Sequence, residues 1–304
     1  MKKTFASIAL AIAILAGDAF AAGKLKVITT TADLASLTKE VGSDRVEVTS
    51  IARGYQDPHF VEPKPSYLLL LKNADLLEAV GLDLEIGWLP PLLDQSRNNK
   101  IRPGSRGYLD LSRGVEILDR PTGPVNRSMG DVHPLGNPHY WLDPANAVRM
   151  AMLIEKKLEE LDPANAEYYR TRLNNFKGKM NEANKRWMAA LAPYRNAKIV
   201  TYHNSWPNFA KHFGLNVVGY VEPKPGIPPS PSHTFDLINM MKQQKVKVIL
   251  MEPYFDVKTP QSIAQRTGAK LLVIYPSVGG AKSGTDDYFQ LFDYNINNLV
   301  KALK

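Results

Sequence analysis

Two series of short β-branched runs alternating with helical runs, separated by one long helix-forming stretch, constrain this chain more than any other feature. In the first series Lys26 to Thr30 and Val46 to Ile51 read as strands. Asp33 to Val41 and Ser66 to Asn73 read as helices, and Ala74 to Val80 runs into a further strand. In the second, strands at Lys198 to Tyr202, Asn216 to Val221, Val246 to Met251 and Lys270 to Tyr275 alternate with helices at Trp206 to Phe213, Pro231 to Gln244, Thr259 to Thr267 and Asp286 to Leu303. Such alternation is the signature of parallel α/β sheets, because a parallel crossover needs a helix to return the chain.

Between the series, Ala145 to Ala192 is rich in helix formers, with one break at Asp162-Pro163. Asp162 is a cap candidate with Pro163 at the first helical position, and Pro193 stops the run. Gly214 and Gly268 are natural helix terminators, and Ser232 is a cap candidate for the helix beginning at Pro231. Gly104 to Asn137 is weakly patterned and rich in Gly and Pro, which predicts loop. The expected architecture is α/β, with two lobes built on parallel sheets, a long rigid helix joining them, and a site in the cleft between lobes. The expected boundaries are a signal at 1–21, an N-terminal lobe at 22–162, a linking helix at 163–192 and a C-terminal lobe at 193–304.

The signal rests on Lys2 and Lys3, the apolar run Phe5 to Ala16 and the small-x-small site Ala19-Phe20-Ala21. The apolar run is too short to span a bilayer, so it predicts cleavage after Ala21 and a periplasmic location. The sequence has no cysteine, which excludes disulfides, thiolate ligands and a lipidated cysteine; the exported chain must be stable on its core alone. The formal net charge of +8 is dispersed, without a basic run or basic-aromatic interleaving, so no nucleic-acid partner is expected. A monomer is expected.

Three histidines stand out by their setting: His59 in Asp57-Pro58-His59-Phe60, His139 in Asn137-Pro138-His139-Tyr140-Trp141, and His203 in Tyr202-His203-Asn204-Ser205-Trp206. Neutral imidazole suits zinc, and three of them nearly complete a tetrahedral site. Ligands of open α/β sheets bind beyond the carboxyl ends of the strands. His203, Glu252 and Tyr275 each end or follow a C-lobe strand, and His59 follows an N-lobe strand. His212 and His233 read as structural residues, and His133, in the weakly patterned loop, as solvent-exposed. Glu222 to Ser232 holds five prolines, a stiff segment to which the sequence assigns no partner.

Asp57-Pro58-His59 with Glu62-Pro63-Lys64-Pro65-Ser66, Asn137 to Pro144, Tyr202-His203 with Phe209 to Gly214, and Val248 to Pro253 together resemble the periplasmic zinc- and manganese-binding proteins of metal ABC transporters, the cluster A-I solute-binding proteins. The matching stretches cover nearly the whole chain after the signal. The resemblance implies metal ligands at His59, His139 and His203, a long helix that limits lobe movement, and delivery to a transmembrane permease. It also implies an aspartate as fourth ligand after the last strand, where this chain has Tyr275-Pro276-Ser277-Val278-Gly279. That leaves the fourth position to Glu252, Asp256, Tyr275 or water, with Tyr275 a poor ligand while neutral and Glu252 expected to support a ligand rather than bind. The acidic His-rich loop frequent in zinc members is reduced to Asp131 and His133. Zinc is the expected cargo and manganese the lesser rival, since manganese favours carboxylate and water oxygens. A zinc hydrolase with Glu252 as general base, and a surface protein merely stabilised by metal, are the competing readings.

Overall fold

The computed structural model describes residues 23–126, 129–130 and 132–304. The expected signal at 1–21 therefore lies outside the described residues, as does Asp131. The N-terminal sheet consists of β1 (Leu25–Thr29), β2 (Val46–Ser50), β3 (Leu76–Ala79) and β4 (Tyr108–Asp110), in the order β2-β1-β3-β4. The C-terminal sheet consists of β5 (Lys198–Thr201), β6 (Asn216–Tyr220), β7 (Val248–Met251) and β8 (Lys270–Val273), in the order β6-β5-β7-β8. Every strand pairing in both sheets is parallel. The two orders are the same topology used twice, each reversing direction beside its first strand, and such a reversal opens a crevice at the carboxyl ends.

The helices are α1 (Ala32–Gly42), α2 (Pro65–Lys72), α3 (Leu89–Ser96), α4 (Pro144–Leu161), α5 (Ala166–Leu191), α6 (Pro207–Phe213), α7 (Pro231–Gln244), α8 (Lys258–Thr267) and α9 (Tyr288–Leu303). At 26 residues, α5 is about 39 Å long. It buries Tyr169, Leu173, Phe176, Met180, Ala183, Trp187 and Leu191 at three- and four-residue intervals, one continuous apolar stripe. That stripe belongs to a hydrophobic core that includes Val27, Leu34 and Leu76 of the N-terminal lobe and Ile199, Leu250 and Tyr288 of the C-terminal lobe. Each lobe adds a smaller cluster on the outer face of its sheet. The lobes thus share a packed spine and are not two bodies on a flexible tether.

Local expectations fail where side chains had competing partners. Asp162 does not cap α5; its carboxylate accepts from Tyr169 Oη and Asn165 Nδ2, both at 2.7 Å, and a short 3-10 turn at Pro163–Asn165 precedes the helix. The cap of α7 is Ser230, whose Oγ accepts from His233 N at 3.1 Å, and not Ser232. The strand β4 lies inside the segment expected to be loop. It is an edge strand of three residues, too short for a periodic signal. Gly214 and Gly268 close α6 and α8 in left-handed conformation, φ 70° and 76°.

Candidate metal centre

Short loops at the cleft carry the three histidines, and tryptophans fasten the surroundings of each. Trp88 Nε1 donates to Pro58 O at 2.9 Å, fixing the loop that holds His59. His139 precedes a 3-10 turn at Tyr140–Leu142 clamped to both lobes. Tyr140 Oη donates to Val80 O at the end of β3, and Trp141 Nε1 donates to Pro276 O beyond β8. His203 follows β5, and Trp206 Nε1 donates to Glu252 Oε1 at 2.9 Å. Each of these bonds spans at least 30 residues of sequence, and the one from Trp141 to Pro276 ties the two lobes together beside the site.

The three rings meet with centroid separations of 5.2 Å (His59–His139), 5.5 Å (His59–His203) and 5.4 Å (His139–His203). One potential ligand atom from each lies within 4.8 Å of the other two. Every Nδ1 is committed elsewhere. Asp57 Oδ1 receives both His59 N (3.0 Å) and His59 Nδ1 (2.6 Å), and Asn137 Oδ1 receives both His139 N (2.9 Å) and His139 Nδ1 (3.0 Å). The Asx-Pro-His triplet is thus a local device in which one side-chain oxygen fixes both the backbone and the tautomer of the histidine. His203 Nδ1 bonds Glu222 Oε2 at 2.6 Å, and the other oxygen of Glu222 accepts from Gly226 N. Holding the proton on Nδ1 leaves Nε2 as a lone pair, the arrangement that orients and strengthens a metal-ligating imidazole. The Nε2 atoms of His59 and His139 are buried with no hydrogen-bond partner, an arrangement costly unless another group fills it.

Electrostatics follow from this packing. Burial, reinforced by the neighbouring imidazoles His59, His203 and His133, holds His139 well below the ordinary histidine value. Burial also pulls His203 down, but Glu222, Glu252 and Asp57 outweigh it and leave His203 raised. Burial pushes the Asp57 carboxyl up, and its hydrogen bond and attraction to His59 reverse that and leave it lowered.

The candidates for a fourth ligand fall outside the three-atom group. Glu252 is fully buried, one oxygen on Trp206 and the other unpartnered, and burial raises its carboxyl. Asp256 is exposed and accepts from Lys258 N at the start of α8. Tyr275 packs edge-on against Tyr294, ring centroids 5.5 Å apart, while its backbone exchanges hydrogen bonds with Asn295 of α9. His212 and His233 occupy structural positions, bonded to Asp143 and Asn184 and to Tyr220 O respectively.

His133 departs from expectation. It is half-buried rather than exposed, its ring centroid 5.3 Å from that of His59. With His139 and His203 it lines a cavity of about 140 Å³. Burial and the imidazoles of His59 and His203 push it down to about 4, against a hydrogen bond to the Leu82 backbone. The proline-rich segment also finds its place. It supplies Glu222 to His203, and Pro225 comes so close to Gly130 (φ 76°) that a Cβ there would lie 2.1 Å from Pro225 O. Sequence reasoning gave Glu222 and His133 no role; the one signal available was Glu222 standing one residue past a strand.

Two parallel-sheet lobes on a rigid spine, with three oriented imidazoles in the cleft, define a two-lobed solute-binding protein for a metal ion. The comparisons agree. The chain belongs to the family of the periplasmic zinc-uptake complex component A, whose family model matches residues 27–302. It is 27% identical over 318 residues to the metal ABC transporter substrate-binding lipoprotein FimA of Streptococcus parasanguinis, covering 100% of this chain and 99% of that one. It is also 27% identical over 319 residues, with the same coverage, to the manganese ABC transporter substrate-binding lipoprotein PsaA of Streptococcus pneumoniae. A crystal structure of ZnuA superposes with TM-score 0.77 at 25% identity, covering 92% of this chain and all of that one. The manganese-bound periplasmic metal-binding protein of Candidatus Liberibacter asiaticus shares the fold, with TM-score 0.76 at 21% identity and coverage of 92% and 100%. As a member of this family the chain is the metal-binding component of an uptake system and not an enzyme.

Proposed function

We propose that this protein binds one zinc ion through Nε2 of His59, His139 and His203 and delivers it to the transmembrane permease of a metal ABC transporter. The observation that carries this reading is the convergence of three imidazoles with Nδ1 already committed. Among the described residues no carboxylate joins that group, and an all-nitrogen set suits zinc better than manganese. Glu252, fully buried behind His203, supports the site and is not a ligand. The chain acts as a monomer in the periplasm after cleavage beyond Ala21. An N-terminal lobe to residue 162, the linking helix at 163–192 and the C-terminal lobe from 193 are its working parts.

Manganese is the second reading, favoured by the manganese-transport name of the PsaA relative. Competition titrations with zinc and manganese, on the wild type and on His59→Ala, His139→Ala and His203→Ala, test both readings. The expected outcome is one tight zinc per chain, weaker manganese, and a loss of roughly tenfold or more in each variant, at least what a supporting contact alone costs. Equal or tighter manganese binding would overturn the choice of metal, and unchanged zinc affinity in all three variants would overturn the ligand set.

A further inference from the structure

His133 repeats the design of the three histidines it accompanies. Its Nε2 is buried and without a hydrogen-bond partner, and the backbone of Leu82 lies against the ring. A buried imidazole nitrogen with no hydrogen-bond partner is costly unless another group, such as a metal ion, fills it. Leu82 belongs to an unusual turn. Gly81, Leu82 and Asp83 all have positive φ, at 77°, 54° and 63°, and two of the three carry side chains that disfavour it. Buried Glu85 secures the turn by accepting from Val80 N, Gly81 N and Thr30 Oγ1. Local strain of this kind persists only where the surroundings impose it.

Tetrahedral zinc takes four ligands, and three histidines leave one position. Glu252, Asp256 and Tyr275 each lie outside the three-atom group; Asp256 and Tyr275 are held by other partners, and Glu252 keeps one oxygen on Trp206. His133 lines the same cavity as His139 and His203 and stands as close to His59, ring to ring, as His139 does. Resting on the zinc-binding reading above, we propose that His133 is the fourth ligand and closes a four-imidazole site on the metal. Its Nε2 lies outside the group of three, so coordination requires the ring to move inward toward the ion. A fourth nitrogen in place of water or carboxylate biases the site further toward zinc and away from manganese.

The test is imidazole ¹⁵N NMR of histidine-labelled protein titrated with zinc, on the wild type and on His133→Ala, with zinc competition titrations alongside. In the wild type, Nε2 resonances of four histidines should move together to metal-bound positions at one equivalent. In His133→Ala three should move, and zinc affinity should fall roughly tenfold or more. If three nitrogens move in the wild type and His133 stays put, this proposal fails while the three-histidine reading stands. If none of His59, His139 and His203 moves, the underlying reading itself fails. Thermal unfolding of the metal-free variant checks the fold. Should His133→Ala unfold, His133→Gln gives the same nitrogen count without emptying the position.

Discussion

Glu222→Gln isolates the most consequential interaction that no motif announced. Glu222 is buried and places one carboxylate oxygen 2.6 Å from His203 Nδ1 and the other 2.8 Å from Gly226 N. The short, charge-assisted bond does two things for the metal: it fixes which nitrogen carries the proton, and it makes Nε2 a stronger donor. Glutamine keeps nearly the same volume and can still accept, but it removes the negative charge and offers an N–H that faces Nδ1–H unless the amide is turned. Loss of such a supporting partner costs about 10–100-fold in metal affinity, which is roughly 1.4–2.8 kcal/mol. His203→Ala, which removes the ligand itself, should lose more, so the expected order is wild type, Glu222→Gln, His203→Ala. The assay is zinc competition against a chromophoric chelator at pH 7.5. Glu116→Gln is the control, because it breaks only an exposed pair with Lys211, and such pairs contribute at most about 1 kcal/mol. Zinc affinity in Glu222→Gln within a factor of about three of wild type, with the fold intact, would refute the reasoning. The Glu222–His203 contact would then be packing and not tuning.

Two further outcomes follow from the core. Burial pushes the Glu78 carboxyl up to about 8 and Glu85 and Asp33 up to about 7. A carboxyl raised on folding stabilises fully below its unfolded value and loses that contribution as pH rises through the folded one. The metal-free protein should therefore weaken progressively as pH rises from about 4 to 8, and Glu78→Gln should flatten that decline. Thermal unfolding at intervals from pH 5 to 9 measures it, and an identical slope in the variant contradicts the assignment. Trp187 of α5 packs against Phe289 and Phe292 of α9, with Nε1 donating to Asp293 Oδ1 at 2.6 Å. Trp187→Ala should cost about 3–5 kcal/mol and lower the melting temperature by on the order of 10 °C. A change under about 2 °C would mean that the spine is not held there.

The sequence by itself determined whatever depends on a residue and its near neighbours. Hydrophobic periodicity located both α/β series and the long helix, because amphipathic order repeats every two or 3.6 residues regardless of distant packing. Gly214 and Gly268 announced helix ends because only glycine adopts their left-handed geometry cheaply. His59 and His139 were conspicuous because Asx-Pro-His is complete within three residues: the side-chain oxygen that holds the ring stands two positions before it. Only the tertiary structure decided what requires two distant segments at one point. Ser230 over Ser232, and Tyr169 as the partner of Asp162, were choices among several local options settled by the packed surroundings. Glu222 reaches His203 because β6 and β5 are neighbours in the sheet, a pairing that neither segment encodes alone. His133 sits in a stretch without periodicity and is placed by the Leu82 backbone, some fifty residues earlier, and by the ring of His59. The convergence of the imidazoles belongs to the same class, since it needs both sheets, the clamp at Tyr140 and Trp141, and the spine of α5 to bring the carboxyl ends of the strands face to face.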